Sequence, residues 1–161
     1  MFVGWLKRRR RRRLTARPFP DDWTGFLRKN VRHFGALSTS EQRKVRSTVQ
    51  VLVAEKNWEG CDGLLMTDEI KVTIAAQIAI LVLGFDQQYF DAVLSILVYP
   101  DAYLAPERHI ESSGVVMEGS SAREGEAWYR GPVILSWSDA LNGGRGDSHG
   151  QNLVLHEFAH Q

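Results

Sequence analysis

The 161-residue sequence predicts an α+β domain, and three observations carry that prediction. Helical patterns fill the first half of the chain. Compact β-branched runs, bounded by proline and glycine, occupy the second half. The last residues then carry His156-Glu157-Phe158-Ala159-His160-Gln161, a match to H-E-x-x-H on a helical pattern. Helices first and strands later indicate segregated elements rather than a regular alternation. A hydrophobic fraction of 43% supplies enough apolar material for a core.

Taken in order, the chain begins with an unbroken basic run from Lys7 to Arg13. Net charge is only +1, so the remainder is acidic. A block of like charges repels itself, and residues 1–17 read as a solvated, disordered arm. Phe2, Val3, Trp5 and Leu6 precede the block, which makes an anionic membrane surface the second reading. Nucleic acid is the third, and the run lacks the aromatic interleaving expected there, so no clear nucleic-acid site emerges. A secretory signal does not fit, because the charge follows the apolar residues instead of preceding them.

Arg17-Pro18-Phe19-Pro20-Asp21-Asp22 marks the boundary of a domain over 18–161. Ser38-Thr39-Ser40-Glu41 is a capping box, followed by Val45, Val49, Leu52 and Val53 at helical spacing, with Gly60 as the stop. A second helix is expected from about Asp68 to Leu83, and a shorter one near Asp86. The Ile70–Leu83 stretch is the most apolar in the chain, but Lys71, Thr73 and Gln77 interrupt it. It also falls short of the roughly 20 residues a membrane span needs, so it reads as a buried core helix.

Leu94–Tyr99 is apolar and β-branched and stops at Pro100. Val115–Met117 is a weaker strand pattern. Val133–Trp137 is a strong one, entered by Gly131-Pro132. Asn142 to Asp147 reads as a loop. Ser148-His149-Gly150-Gln151 then fits an S-x-x-Q capping box for the helix that carries the motif, with Leu153, Val154, Leu155, Phe158 and Ala159 as its apolar flank.

On such a helix, residues four apart lie about 40° around and ~6 Å along from one another. His156 and His160 therefore leave one face and can grip a single Zn²⁺, while Glu157 stands beside them as a base for an activated water. Other patterns are weaker. Gly146-Asp147-Ser148-His149-Gly150 matches G-x-S-x-G, but a nucleophile elbow needs a strand leading straight into its serine, and Leu141 to Arg145 look loop-like. His149 would sit ~10 Å from His156 along the axis, too far to share its ion. Glu107, His109 and Glu111 are ligands by type with nothing to fix them near the motif. Cys61 is the sole cysteine, which excludes an intrachain disulfide and a thiolate zinc cluster and fits a reducing compartment. Trp58, Trp128 and Trp137 read as core or rim aromatics.

Four segments together carry a family resemblance: Leu97–Pro100, Gly125–Trp128, Gly131–Trp137 and Asn152–Gln161. Their order and spacing, from about Pro18 onward, resemble the Mlc titration factor A (MtfA) family of zinc peptidases. The resemblance implies a zincin-like, gluzincin fold and cytoplasmic aminopeptidase-type hydrolysis of a peptide substrate. It implies zinc held by His156 and His160 and by a glutamate from a later helix, with Glu157 as the catalytic base. It also implies a second possibility, a non-enzymatic regulatory protein that sequesters a transcriptional repressor. The later helix, and a tyrosine expected to stabilise the transition state, are not in this sequence. The expectation is therefore a C-terminally incomplete domain that is inactive as it stands, and the basic run is not a recognised hallmark of the family.

Overall fold

The protein is described by a computed structural model covering residues 2–85, 88–101, 131–146 and 153–159. Six α-helices, one 3₁₀ turn and three strands lie within those residues. They are α1 (Phe2–Ala16), α2 (Asp21–Asn30), the 3₁₀ turn (Arg32–Ala36), α3 (Thr39–Glu55), β1 (Asn57–Gly60), α4 (Asp68–Leu81), β2 (Ser95–Tyr99), β3 (Val133–Ser136), α5 (Trp137–Arg145) and α6 (Leu153–Ala159). The arrangement is α+β: helices combined with a small sheet.

Helix α4 is the centre of the fold. Thr67 caps it by accepting a hydrogen bond from the Ile70 amide, and Asp68 and Glu69 place negative charge at its positive end. Its sequence has apolar or small residues on every side, and residues from Ile70 through Ala79 are buried apart from Lys71. Such a helix needs neighbours all around. It packs against α2, α3, α5 and α6. No helix among the described residues is long and apolar enough to cross a membrane.

The capping box predicted at Ser38 is present. The Ser38 hydroxyl accepts from the Glu41 amide at 3.2 Å, and the Glu41 carboxylate accepts from the Ser38 amide at 2.9 Å. These bonds hold the Glu41 carboxyl below its usual range. Helix α3 ends at Glu55, however, and not near Gly60. Residues 57–60 form strand β1 instead, which the sequence pattern did not suggest. Asn-Trp-Glu-Gly lacks a β-branched run because β1 lies at one edge of the sheet, with its residues alternating between exposed and half-buried.

The sheet has the order β1-β2-β3, and both pairs are parallel. Parallel neighbours require a crossover, and α4 provides it between β1 and β2. One strand thus precedes the core helix, correcting the expectation that all strands follow the helices. Ile96 and Val98 of β2 lie opposite Val133 and Leu135 of β3, and all four are buried in the single core cluster.

The basic run also departs from expectation, since Phe2–Ala16 is helical. Arg11 supplies the physical reason. Its guanidinium donates to both carboxylate oxygens of Glu55, at 3.0 and 2.7 Å, and to Asp91 at 2.6 Å. Lys7, one turn earlier, pairs with Asp91 at 3.1 Å. Two of the seven cations are thereby neutralised on the side of α1 that meets the body.

Candidate metal centre

Strand β3 feeds directly into the elements that precede the motif. Ser136 ends the strand and caps α5, accepting from the Asp139 amide at 3.3 Å. The segment from Asn142 to Arg145, read from the sequence as loop, is the last turn of α5. Its glycines suit close packing: a Cβ on Gly144 would collide with the Asn30 carbonyl and meet Gln77 Nε2 at 2.8 Å. Gly146 then closes α5 in the left-handed conformation, at φ +80°.

Three polar side chains lock α5 in place. Gln77 donates to the Ala140 carbonyl at 2.9 Å, and Arg145 donates to Asn30 Oδ1 at 3.1 Å. Asn30, fully buried, donates in turn to Glu69 at 2.9 Å and to Thr73 at 3.1 Å. Among the described residues, no buried side-chain nitrogen or oxygen lacks a partner. Buried polar groups satisfied in this way fix one arrangement of α2, α4 and α5.

The motif helix α6 docks by two residues a turn apart. Val154 and Phe158 are buried, and the Phe158 ring meets Phe90 edge-on at 5.1 Å. The helix rests on α4, α5 and β3. With Val154 and Phe158 turned inward, His156 is exposed and Glu157 is half-buried. Two of the three residues of the motif that would do chemistry therefore lie away from the packed face. An exposed imidazole beside a half-buried carboxylate suits a metal ligand and its neighbouring base. His160 and Gln161 lie outside the described residues, as do Ser148, His149, the 107–111 cluster, the Val115–Met117 strand pattern and Trp128. Among the described residues, no group of three or more His, Cys, Asp or Glu is arranged to hold a metal.

The serine-nucleophile pattern loses its remaining support. An elbow needs a strand running into the serine, and β3 ends at Ser136 with helix α5 following. Trp58 and Trp137 are half-buried against the core, as expected.

Sequence reasoning missed a second polar centre, which forms where α1, the end of α3 and the segment before β2 meet. Lys56 follows α3, is 8% exposed, and donates to the carbonyls of Phe90 and Val93 at 2.6 and 2.7 Å. Burial pushes its ammonium down to about 8. Beside it, burial alone would raise the Asp91 carboxyl, but hydrogen bonds from Arg11 and Lys7 outweigh this and hold it below the usual range. Burial would likewise lower Arg11, and its bonds to Glu55 and Asp91 more than offset that. No local signal marked these groups, because their partners lie 34 to 84 residues away.

Comparison with known proteins agrees with the motif. The family model described as glucose-regulated metallo-peptidase M90 matches residues 5–161. An uncharacterized protein of Synechocystis sp. is 33% identical over 161 residues, covering 99% of this chain and 58% of the relative. Mlc titration factor A of Yersinia pestis is 29% identical over 132 residues, covering 82% of this chain and 48% of the relative, and the Yersinia pseudotuberculosis protein of that name gives the same values. The chain spans about half the length of the curated relatives it matches. The family match begins at residue 5, within α1, so the basic run belongs to the matched region. With its H-E-x-x-H helix docked by Val154 and Phe158, the chain belongs to the glucose-regulated metallo-peptidase M90 family.

Proposed function

We infer that the whole protein is a zinc-dependent peptidase of aminopeptidase type, acting in the cytoplasm, with His156 and His160 as metal ligands and Glu157 as the catalytic base. One observation carries this reading: α6 buries Val154 and Phe158 and leaves His156 and Glu157 off the packed face, within a chain of a metallo-peptidase family. Bound zinc would supply Lewis acidity, lowering the pKa of water to about 7 and polarising the scissile carbonyl. The four-residue spacing of His156 and His160 would put both imidazoles on one side of a helix continued through His160. Glu157 takes the proton of the attacking water and delivers it to the departing amine nitrogen. A gluzincin-like fold is part of the same proposal.

In the whole protein, Glu157→Gln should retain stoichiometric zinc and lose peptide hydrolysis by at least about 100-fold, the usual scale for a positioned acid–base group. Zinc content by mass spectrometry and turnover of a fluorogenic peptide measure the two separately. Undiminished turnover would sink the role of Glu157.

A second reading has its own support. The Yersinia relatives are named for titration of Mlc. On this reading the protein sequesters a transcriptional repressor without hydrolysing anything. His156→Ala separates the two: a sequestering protein keeps its affinity for the repressor, whereas a peptidase loses turnover.

A further inference from the structure

Among the described residues, nothing packs on the outward side of α1. Arg8, Arg9, Arg10, Arg12 and Arg13 are all exposed, while Lys7 and Arg11 face the body and are paired. The cation row continues at one end into an exposed apolar turn. Phe2 and Val3 are each 77% exposed, Trp5 is 53% and Leu6 50%. These four are the majority of the exposed large hydrophobic residues among the described residues. The Phe2 and Trp5 rings lie 6.2 Å apart, and the Arg9 guanidinium sits 5.3 Å over the Trp5 ring.

The apolar patch is not a property of α1 alone. Leu94, immediately before β2, is 72% exposed. It lines the same cavity as Val3 and Leu6, about 420 Å³ in volume, with Lys7 and Arg10 on its wall beside the carboxylates Glu55 and Asp91 that clamp α1. Two distant parts of the chain thus place apolar surface and cations side by side. Because Arg11 and Lys7 clamp α1 to Glu55 and Asp91, the patch is presented in a fixed orientation.

Apolar residues with an aromatic ring, collared by arginines, match the boundary between lipid headgroups and acyl chains. The surface charge of an anionic leaflet complements the arginine row, each cation near it contributing about fivefold to binding. A nucleic acid would use the cations but leave Phe2, Val3 and Leu94 in water. We propose that α1, together with Leu94, seats this protein on an anionic lipid surface, with the Phe2–Leu6 turn entering the headgroup region and the exposed arginines pairing with lipid phosphates. This recruitment is independent of the proposed peptidase chemistry.

The test is flotation of the full chain with vesicles. Vesicles of phosphatidylcholine containing roughly 30% phosphatidylserine should carry the protein, and pure phosphatidylcholine should not. Binding should fall steeply as salt shortens the screening length. R8Q/R9Q/R12Q/R13Q leaves the Lys7 and Arg11 clamp intact and should weaken binding by more than about 100-fold. Brominated phosphatidylcholine in the same anionic vesicles should quench tryptophan emission, and Trp5→Phe should remove that quenching while keeping binding. If the arginine variant misfolds, Phe2→Ser with Trp5→Ser decides instead, with a loss of about tenfold or more expected from the removed apolar area. Failure to bind anionic vesicles at low salt overturns the proposal. So does binding that neither set of substitutions changes, or stronger binding to duplex DNA with no quenching of Trp5.

Discussion

Helices α1 and α4 are nearly equal in length, 15 and 14 residues, and are held in opposite ways. Helix α4 buries nine residues, and α1 buries none. The first is fixed by apolar area, which is non-directional and spread over many neighbours. The second is fixed by a few directed contacts: the Arg11 fork on Glu55 and Asp91, the Lys7 pair, and the Arg11 guanidinium 4.2 Å over the Tyr89 ring. Removing α4 would remove the core. Releasing α1 would leave the core intact. A helix attached by charge can therefore respond to salt and to a charged surface, whereas a helix attached by burial cannot.

The largest break in this comparison should come from Ile74→Ala in the middle of α4. Ile74 is fully buried, so truncation should cost about 2–5 kcal/mol and lower the chemical-denaturation midpoint of the whole domain. Arg11→Ala should cost less, on the order of 2 kcal/mol, since the pair it breaks is only partly buried. Its effect should also be local. Limited proteolysis should cut within residues 2–16 while amide protection in α4 persists.

The polar centre beneath α1 offers a pH handle of similar or smaller size. Lys56 has a folded pKa of about 8 against 10.5 unperturbed. Between those values the unfolded chain holds a proton that the folded one has released, so stability rises as pH climbs through that window. Below about 8 both states are protonated and the burial cost is present in full. The gain should be on the order of 1–3 kcal/mol, and Lys56→Met should flatten the slope of stability against pH from 8 to 10.5. The smallest effect belongs to Arg9→Gln on the exposed side of α1. It should change stability by less than about 0.5 kcal/mol, and a larger loss in thermal denaturation would show that the outward arginines also hold the helix.

The sequence made some of this legible and hid the rest for definite reasons. Capping at Ser38 and the apolar run of α4 are local signals, and both appear where the letters placed them. Strand β1 was hidden because an edge strand need not carry a two-sided apolar pattern. The final turn of α5 was hidden because Gly143 and Gly144 look like loop letters, while in the fold Gly144 lets α5 approach Asn30 and Gln77. The helicity of α1 was hidden because seven like charges repel in isolation, and their neutralising partners, Glu55 and Asp91, are 44 and 80 residues away from Arg11.

For the candidate centre, the sequence by itself determined the donor types and their four-residue spacing, because helical periodicity is a local property. It determined the family as well. Only the tertiary structure decided which side of α6 packs inward: Phe90 and the surfaces of α4, α5 and β3 take Val154 and Phe158. That choice leaves His156 exposed and Glu157 half-buried. Likewise, only the fold decided that the basic run is a docked helix with an outward face. The reason is the same in both cases: a side chain's direction is set by what the rest of the chain places beside it, over separations that local pattern does not reach.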